Sequence, residues 1–324
     1  MREVAQHRRR RQPLDDLADL RARLAADRGH ATTLACRDRE QARAIAEGGR
    51  NPRYLTTVSL GGIAAATVAE APLADADLVV VAVPSRAFGE VARSLPGASP
   101  ILSLTKGLDP ATGRRLSTLV RARPVAVLSG PNMAEEVAAG LPGATVIASE
   151  DEELARALQE AINSHVFRVY TNSDLIGVEL CAAAKNVIAL AAGAVDGLGL
   201  GDNAKAALIT RGLVEMARLG EALGADPETF SGLAGMGDLI VTCWHPSGRN
   251  RRAGELIARG ATADEARAQI GQVVEGLTTA PVLRDLSHRL GIELPITEGV
   301  CAVLSGLPIH ELAAGLMGRR PTDE

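Results

Sequence analysis

The sequence predicts a doubly wound α/β domain of Rossmann-like layout, its first strand lost or garbled, followed by an all-helical domain. Three observations lead there. From residue 31 to about 170, short apolar runs alternate with longer amphipathic stretches, the pattern of repeated β-α units. After Asn172 the pattern changes to Ala/Leu-rich segments with Gly at their ends, and no clear strand signal follows. The length of 324 residues, 46% hydrophobic and 23% charged, suits about two globular domains, which we place at 1–172 (with 1–22 atypical) and 173–324.

The expected strands are 31–35, 78–83, 101–104, 125–128, 144–148 and 166–170. Most are too short for helices and several are β-branched, so they read as strands buried on both faces of a mostly parallel sheet. Between them, 38–47, 86–94, 111–121, 133–139 and 151–162 have helical spacing, and Ser149 with Glu152 fits a capping box. In the second half, helices are expected at 174–197, 203–223, 227–233, 249–259, 263–269, 279–290, 297–304 and 308–316, separated by Gly-, Pro- and Asp-containing turns. Residues 1–13 and 318–324 read as loose ends.

Composition narrows the function. A net charge of −4 argues against a dedicated nucleic-acid partner. Cys36, Cys181, Cys243 and Cys301 are far apart with no C-x-x-C pair, which points away from a disulfide framework or zinc knuckle and toward a reducing cytoplasm. No apolar region follows the basic run His7 to Gln12, and no stretch of eighteen uncharged apolar residues occurs, so neither secretion nor a membrane span is expected.

In an open parallel sheet ligands bind beyond the carboxyl ends of the strands. Three such exits turn sharply: Pro84-Ser85, Thr105-Lys106-Gly107 and Ser129-Gly130-Pro131-Asn132. Lys106 is either a solvated loop cation or a cation placed to meet a phosphate. Gly130 allows close backbone approach or serves only the turn. Lys185 rises from an apolar helical stripe of Val178, Cys181, Ala182, Ile188, Ala189 and Ala192. Desolvation there would bring its pKa into the range for proton transfer to a carbonyl or alcohol oxygen. The alternatives are an ion pair with Glu179 or Asp238, or snorkelling to the surface. Gly248-Arg249-Asn250-Arg251-Arg252 opens a helical stretch after a Pro-Ser-Gly turn, where guanidinium groups and backbone N–H groups could hold a phosphate; the run also suits a solvated face. Asp238, in Gly235-Met236-Gly237-Asp238, either orients a lysine or hydroxyl or caps the next helix. His245 and Cys243 lack further partners for a metal site.

In these residues and the stretches around them, the chain from about 24 to 317 resembles the bacterial NAD(P)-dependent glycerol-3-phosphate dehydrogenases. The shared stretches include Asn51 to Leu55, Leu104 to Leu108, Ser129-Gly130-Pro131, Val178-Glu179 with Lys185-Asn186-Val187, Gly199 to Asn203, Leu208 to Gly212, Gly237-Asp238-Leu239, Arg249 to Arg252 and Gly271 to Gly276. The resemblance implies reduction of dihydroxyacetone phosphate to sn-glycerol 3-phosphate for phospholipid synthesis, with NAD(H) or NADP(H) as cofactor. It implies Lys185 as the proton-transferring residue and Lys106, Gly130, Asn132, Asp238, Gly248, Arg249 and Asn250 around the substrate. It implies Arg37, Lys106, Ala134, Arg249, Val273 and Glu275 at the cofactor. The implied partner is a small phosphorylated three-carbon substrate, and a homodimer stands as a candidate assembly.

Two departures stand out. The family has Ser directly before the Arg-Asn pair, where this chain has Gly248 with Ser247 one residue earlier. The first strand and its G-x-G-x-x-G turn are absent: Met1 to Leu24 contains no glycine, and Leu14 to Leu24 reads as a polar amphipathic helix. If the DNA for His7 to Gln12 is read one nucleotide later, CGN-type Arg codons permit Ile-Ala-Val-Val-Gly. Residues 1 to about 22 are therefore expected to reflect a frameshift or gene-model error. The competing expectations are a catalytically impaired homologue without a pyrophosphate loop, and another β-hydroxyacid dehydrogenase-like enzyme such as a ketopantoate reductase.

Overall fold

The protein is described by a computed structural model at residues 25–52, 56 and 58–311. The amphipathic stretch Leu14–Leu24, the basic run Arg8 to Arg11, the shared residues Arg53 to Leu55 and the end of the 308–316 helix lie outside the described residues.

Chain order among the described residues begins with β1 (Thr33–Cys36), α1 (Arg39–Gly48), β2 (Ala64–Thr67), β3 (Val79–Val81), α2 (Ser85–Ser94), β4 (Ile101–Ser103) and β5 (Val125–Ser129). It continues through α3 (Ala134–Ala138), β6 (Gly143–Ala148), α4 (Glu152–Ile162) and β7 (Phe167–Asn172). β1 pairs parallel with β2, Thr33 opposite Ala64. A second sheet runs β3-β4-β5-β6-β7, parallel except between β5 and β6, where Val127 lies opposite Ala148. The antiparallel step departs from a simple β-α repeat for a geometric reason. The five residues of α3 advance only ~7 Å, too little to return the chain along a strand for a parallel crossover. In the strand order of dinucleotide folds the first strand stands between its second and fourth, here between β1 and β3. The residues read as replacing it lie outside the described set.

Three local expectations change. Residues 111–121 form no α-helix: Gly113, at φ 70°, donates its N–H to the Asp109 carbonyl and closes a turn, leaving only a 3-10 turn at Leu116–Leu119. β2 was not expected, because its Ala-Ala-Ala-Thr sequence has weak strand propensity and is set by register against β1. Asp151, not Ser149, caps α4 by accepting the Leu154 N–H, while the Ser149 hydroxyl donates to the Val125 carbonyl.

The remaining helices are α5 (Leu175–Gly197), α6 (Gly201–Ala222), α7 (Pro227–Ser231), a π-turn at Leu233–Gly237, α8 (Asp238–Trp244), α9 (Arg249–Ala258), α10 (Ala263–Ile270), α11 (Glu275–Leu290) and α12 (Pro295–Leu304). By length and composition α5 could cross a membrane, yet 94% of its most apolar window is buried inside the protein, as in a core helix. Its hydrophobic residues Leu180, Val187, Ile188 and Ala192 pack with Met216, Phe230, Leu239 and Leu283 of the surrounding helices. α5 and α9 approach so closely that glycine is required: a Cβ on Gly193 would lie 1.7 Å from the Arg251 carbonyl, and one on Gly254 1.8 Å from the Leu190 carbonyl.

Candidate active site

Lys185, half-way along α5, is 4% exposed. Its Nζ lies 2.5 Å from Asp238 Oδ1 and donates to Thr242 Oγ1 at 2.9 Å. Asp238 opens α8 and is 2% exposed. Its other oxygen accepts from Lys106 Nζ at 2.9 Å and from Ser129 Oγ at 3.2 Å. One carboxylate therefore sits between two ammonium groups, one from each half of the chain. Of the two ion-pair partners open to Lys185 in the sequence, the structure selects Asp238; Glu179 instead accepts from Arg115 and from the Ser117 backbone and hydroxyl. Asp238 is the first residue of its helix and its side chain makes no cap.

Burial brings the Lys185 ammonium down to about 7, with Asp238 opposing the shift and Lys106 adding to it. Burial works to raise the Asp238 carboxyl, but Lys106 and Lys185 outweigh it and hold the group below its ordinary range.

The strand exits close around this cluster. Gly130, at φ 148°, packs where a Cβ would lie 2.9 Å from Thr145 Cα, so the chain leaving β5 needs glycine there. Asn132 is buried and donates to Thr145 Oγ1 at 3.1 Å, whose hydroxyl donates to the Ser129 carbonyl. Gly107, at φ 126°, brings the chain after Lys106 against Ser85. Ser85 donates its backbone N–H and hydroxyl to the two oxygens of Glu275, at 3.2 and 2.7 Å. Burial raises the Glu275 carboxyl despite these bonds.

At the start of α9, Arg249 donates to the Val273 carbonyl at 3.2 Å. Asn250 Nδ2 donates to Asn186 Oδ1, and Asn250 Oδ1 accepts the Gly276 N–H, both at 2.9 Å. The contacts form a ring: Lys185, Asp238, Lys106-Gly107, Ser85, Glu275-Gly276, Asn250 and Asn186, which adjoins Lys185 in sequence. Arg251 departs from the expected clamp, because its guanidinium is paired with Asp196 and Glu255. Ser247 Oγ lies 2.9 Å from His245 Nδ1, and Gly248 provides the helix start with no side-chain cap.

Ala134 begins α3 and is buried, while Arg37 follows β1 and is exposed; neither is hydrogen-bonded to the ring among the described residues. Sequence reasoning missed Thr242; it offered Ser85 and Ser129 only as parts of strand exits and Asn186 only within a shared stretch. Thr242 could have been found, being one helical turn beyond Asp238 and hence on the same face. The pairing of Ser85 with Glu275 and of Ser129 with Asp238 carried no signal, because the partners are distant in sequence. For a dinucleotide, the fit is local: Gln272 Oε1, next to Val273, is buried without a hydrogen-bond partner among the described residues and would suit an amide donor.

An α/β domain joined to a helical domain that delivers a buried lysine to the strand exits is the architecture of two-domain nicotinamide-dependent dehydrogenases. Profiles described as the N-terminus and C-terminus of NAD-dependent glycerol-3-phosphate dehydrogenase match residues 21–155 and 174–312. Glycerol-3-phosphate dehydrogenase [NAD(P)+] of Parafrankia sp. is 47% identical over 315 residues, covering 94% of each chain. That of Moorella thermoacetica is 47% identical over 311 residues, covering 93% of this chain and 92% of its own. The crystal structure of the Coxiella burnetii glycerol-3-phosphate dehydrogenase superposes with a TM-score of 0.89 at 38% identity, covering 94% of this chain and 96% of that one. The chain belongs to the NAD-dependent glycerol-3-phosphate dehydrogenase family. A Ralstonia eutropha ketopantoate reductase, at 18% identity and a TM-score of 0.53, shares the fold alone.

Proposed function

We propose that this protein interconverts dihydroxyacetone phosphate and sn-glycerol 3-phosphate with NADH or NADPH, in the cytoplasm, supplying glycerol 3-phosphate for phospholipid synthesis. The observation that carries this reading is the buried Lys185 sharing Asp238 with Lys106 at the strand exits. The division of labour follows the chain in part: residues 1–172 share the cofactor with Arg249, Val273 and Glu275, and 173–324 supply the acid/base and most of the substrate contacts.

The bound nicotinamide would supply the hydride received by the carbonyl carbon. Lys185 donates its Nζ proton to the carbonyl oxygen as negative charge develops there, and in the oxidative direction removes the hydroxyl proton. Asp238 keeps enough charge beside Lys185 for it to be protonated near neutral pH, and Thr242 fixes its direction. Lys106, the second ammonium on Asp238, adds positive charge toward the same developing alkoxide. Arg249 and Asn250, with the backbone at Gly248 and Gly130 and the Asn132 amide, receive the phosphate end. Arg249 and Lys106 would also border the cofactor, which Val273, Glu275, Ala134 and, beyond β1, Arg37 would help to hold.

Four free cysteines support a reducing compartment. A homodimer is the proposed assembly, supported by Met236, Ile240 and Trp244, apolar side chains 40–46% exposed at successive turns of the Leu233–Trp244 segment. A sedimentation mass near 33.7 kDa would exclude it. The central test is oxidation of NADH and NADPH on addition of dihydroxyacetone phosphate. Substrate-dependent turnover that Lys185→Ala abolishes supports the assignment; turnover unchanged in that variant removes Lys185 from the acid/base role.

A further inference from the structure

We propose that Asp196 is a positioning residue for the phosphate end of the substrate. Through Arg251 it holds the 245–248 turn and the start of α9, and so sets where Arg249 and Asn250 stand relative to Lys185. This rests on the reading of Arg249 and Asn250 as the phosphate clamp.

The geometry begins on α5. Asp196 follows Lys185 by three helical turns, so the two lie on the same side of one rigid element. Asp196 Oδ2 accepts from Lys205 Nζ at 2.8 Å and from the Arg251 guanidinium. Lys205 is itself buried, with its ammonium 4.8 Å from the centroid of the Trp244 ring. The Arg251 fork also donates to the His245 carbonyl at 3.3 Å and the Pro246 carbonyl at 3.2 Å. One guanidinium therefore ties two carbonyls of the turn to a carboxylate on the helix that carries the proton donor.

Besides the guanidinium, the turn is held by the Gly248 N–H donating to the His245 carbonyl at 3.0 Å and by His245 Nε2 3.7 Å from Glu136 Oε1. Gly248 gives α9 no side-chain cap, and Ser247 is engaged with His245 inside the turn. Beneath it, the Arg251 backbone rests on Gly193, one helical turn before Asp196. Arg249 and Asn250 immediately precede Arg251, so a displacement of its guanidinium is passed directly to both. Lys205 steadies the same carboxylate oxygen from α6 and keeps Asp196 charged when Arg251 moves.

Trp244 is the single tryptophan of the chain and stands directly before the turn, so its fluorescence reports on this segment without any need for turnover. The test titrates the full-length protein with sn-glycerol 3-phosphate and with inorganic phosphate. Wild type is expected to saturate with both. Asp196→Asn is expected to move both midpoints upward by about tenfold or more, and in turnover its lower kcat/KM is expected to be carried by KM for dihydroxyacetone phosphate. Arg249→Ala is run beside it. If Arg249→Ala moves the midpoints and folded Asp196→Asn stays within about twofold of wild type, the positioning role is overturned while the clamp stands. If wild type gives no response, or neither variant moves the midpoints, the clamp fails and the proposal with it. Should Asp196→Asn lose its helical circular dichroism, Arg251→Lys decides. It keeps the charge beside Asp196 but loses the fork to the two carbonyls, so a shift of about tenfold supports the proposal and one within about twofold overturns it.

Discussion

A lysine enclosed by apolar helix neighbours keeps its proton near neutral pH only because a carboxylate lies beside it, and this balance makes pH a direct probe of Lys185. With its ammonium brought down to about 7, reduction, which consumes the protonated form, should slow as pH rises through about 7. Oxidation, which needs the free amine, should speed up over the same range. Initial rates in both directions from pH 5.5 to 9 check this. Asp238→Asn removes the group that raises Lys185 and should move both limbs to lower pH. Lys185→Ala should lower kcat by about 10²- to 10⁴-fold and abolish the limb, with cofactor binding largely intact by titration. Arg249→Ala should raise KM for dihydroxyacetone phosphate strongly; an effect confined to thermal stability would return Arg249 to a surface role.

At the scale of elements, function depends on how closely two helices can approach. α5 carries Lys185 and α9 carries Arg249 and Asn250, and they meet through Gly193 and Gly254 at backbone distance. Gly193→Ala puts a methyl group onto the Arg251 carbonyl, with no flexible side chain to yield. We expect a stability loss of about 1–3 kcal/mol, visible as a lower Tm, together with a raised substrate KM because α9 must shift outward. Glycerol 3-phosphate should recover part of the lost Tm, since binding draws α9 back. A Tm equal to wild type would show that the helices separate without cost.

In the whole molecule, the order of a dinucleotide fold calls for its first strand between β1 and β3, and Met1 to Leu24 contains no glycine for the turn that follows such a strand. The backbone donors for a pyrophosphate would come from there. This chain should therefore bind NADH and NADPH weakly, and a version carrying an Ile-Ala-Val-Val-Gly strand and glycine turn should bind at least about tenfold more tightly, measured by nicotinamide fluorescence. Equal affinity would show that the first strand is not needed. Resequencing the gene supplies the independent check, since a clean single frame removes the frameshift. In the repaired protein, Arg37→Ala should weaken NADPH more than NADH, because a guanidinium at the end of the second strand recognises the 2′-phosphate.

The alternation of strand and helix, the change to all-helix after Asn172, and Lys185 as a charge in an apolar stripe were legible in the amino-acid order. These are local: period, caps and composition record which face of an element is buried. That order also offered Lys106, Asp238, Arg249 and Asn250 as separate candidates, with the family resemblance joining them. Packing in three dimensions selected Asp238 rather than Glu179 as the partner of Lys185, turned Arg251 away to Asp196, and closed the ring through Ser85 and Glu275. Those choices depend on helix crossing and strand register, which bring groups far apart in sequence within hydrogen-bond distance. The reversed direction of β6 belongs with them: α3 is too short to return the chain, and that became visible only once its ends were fixed.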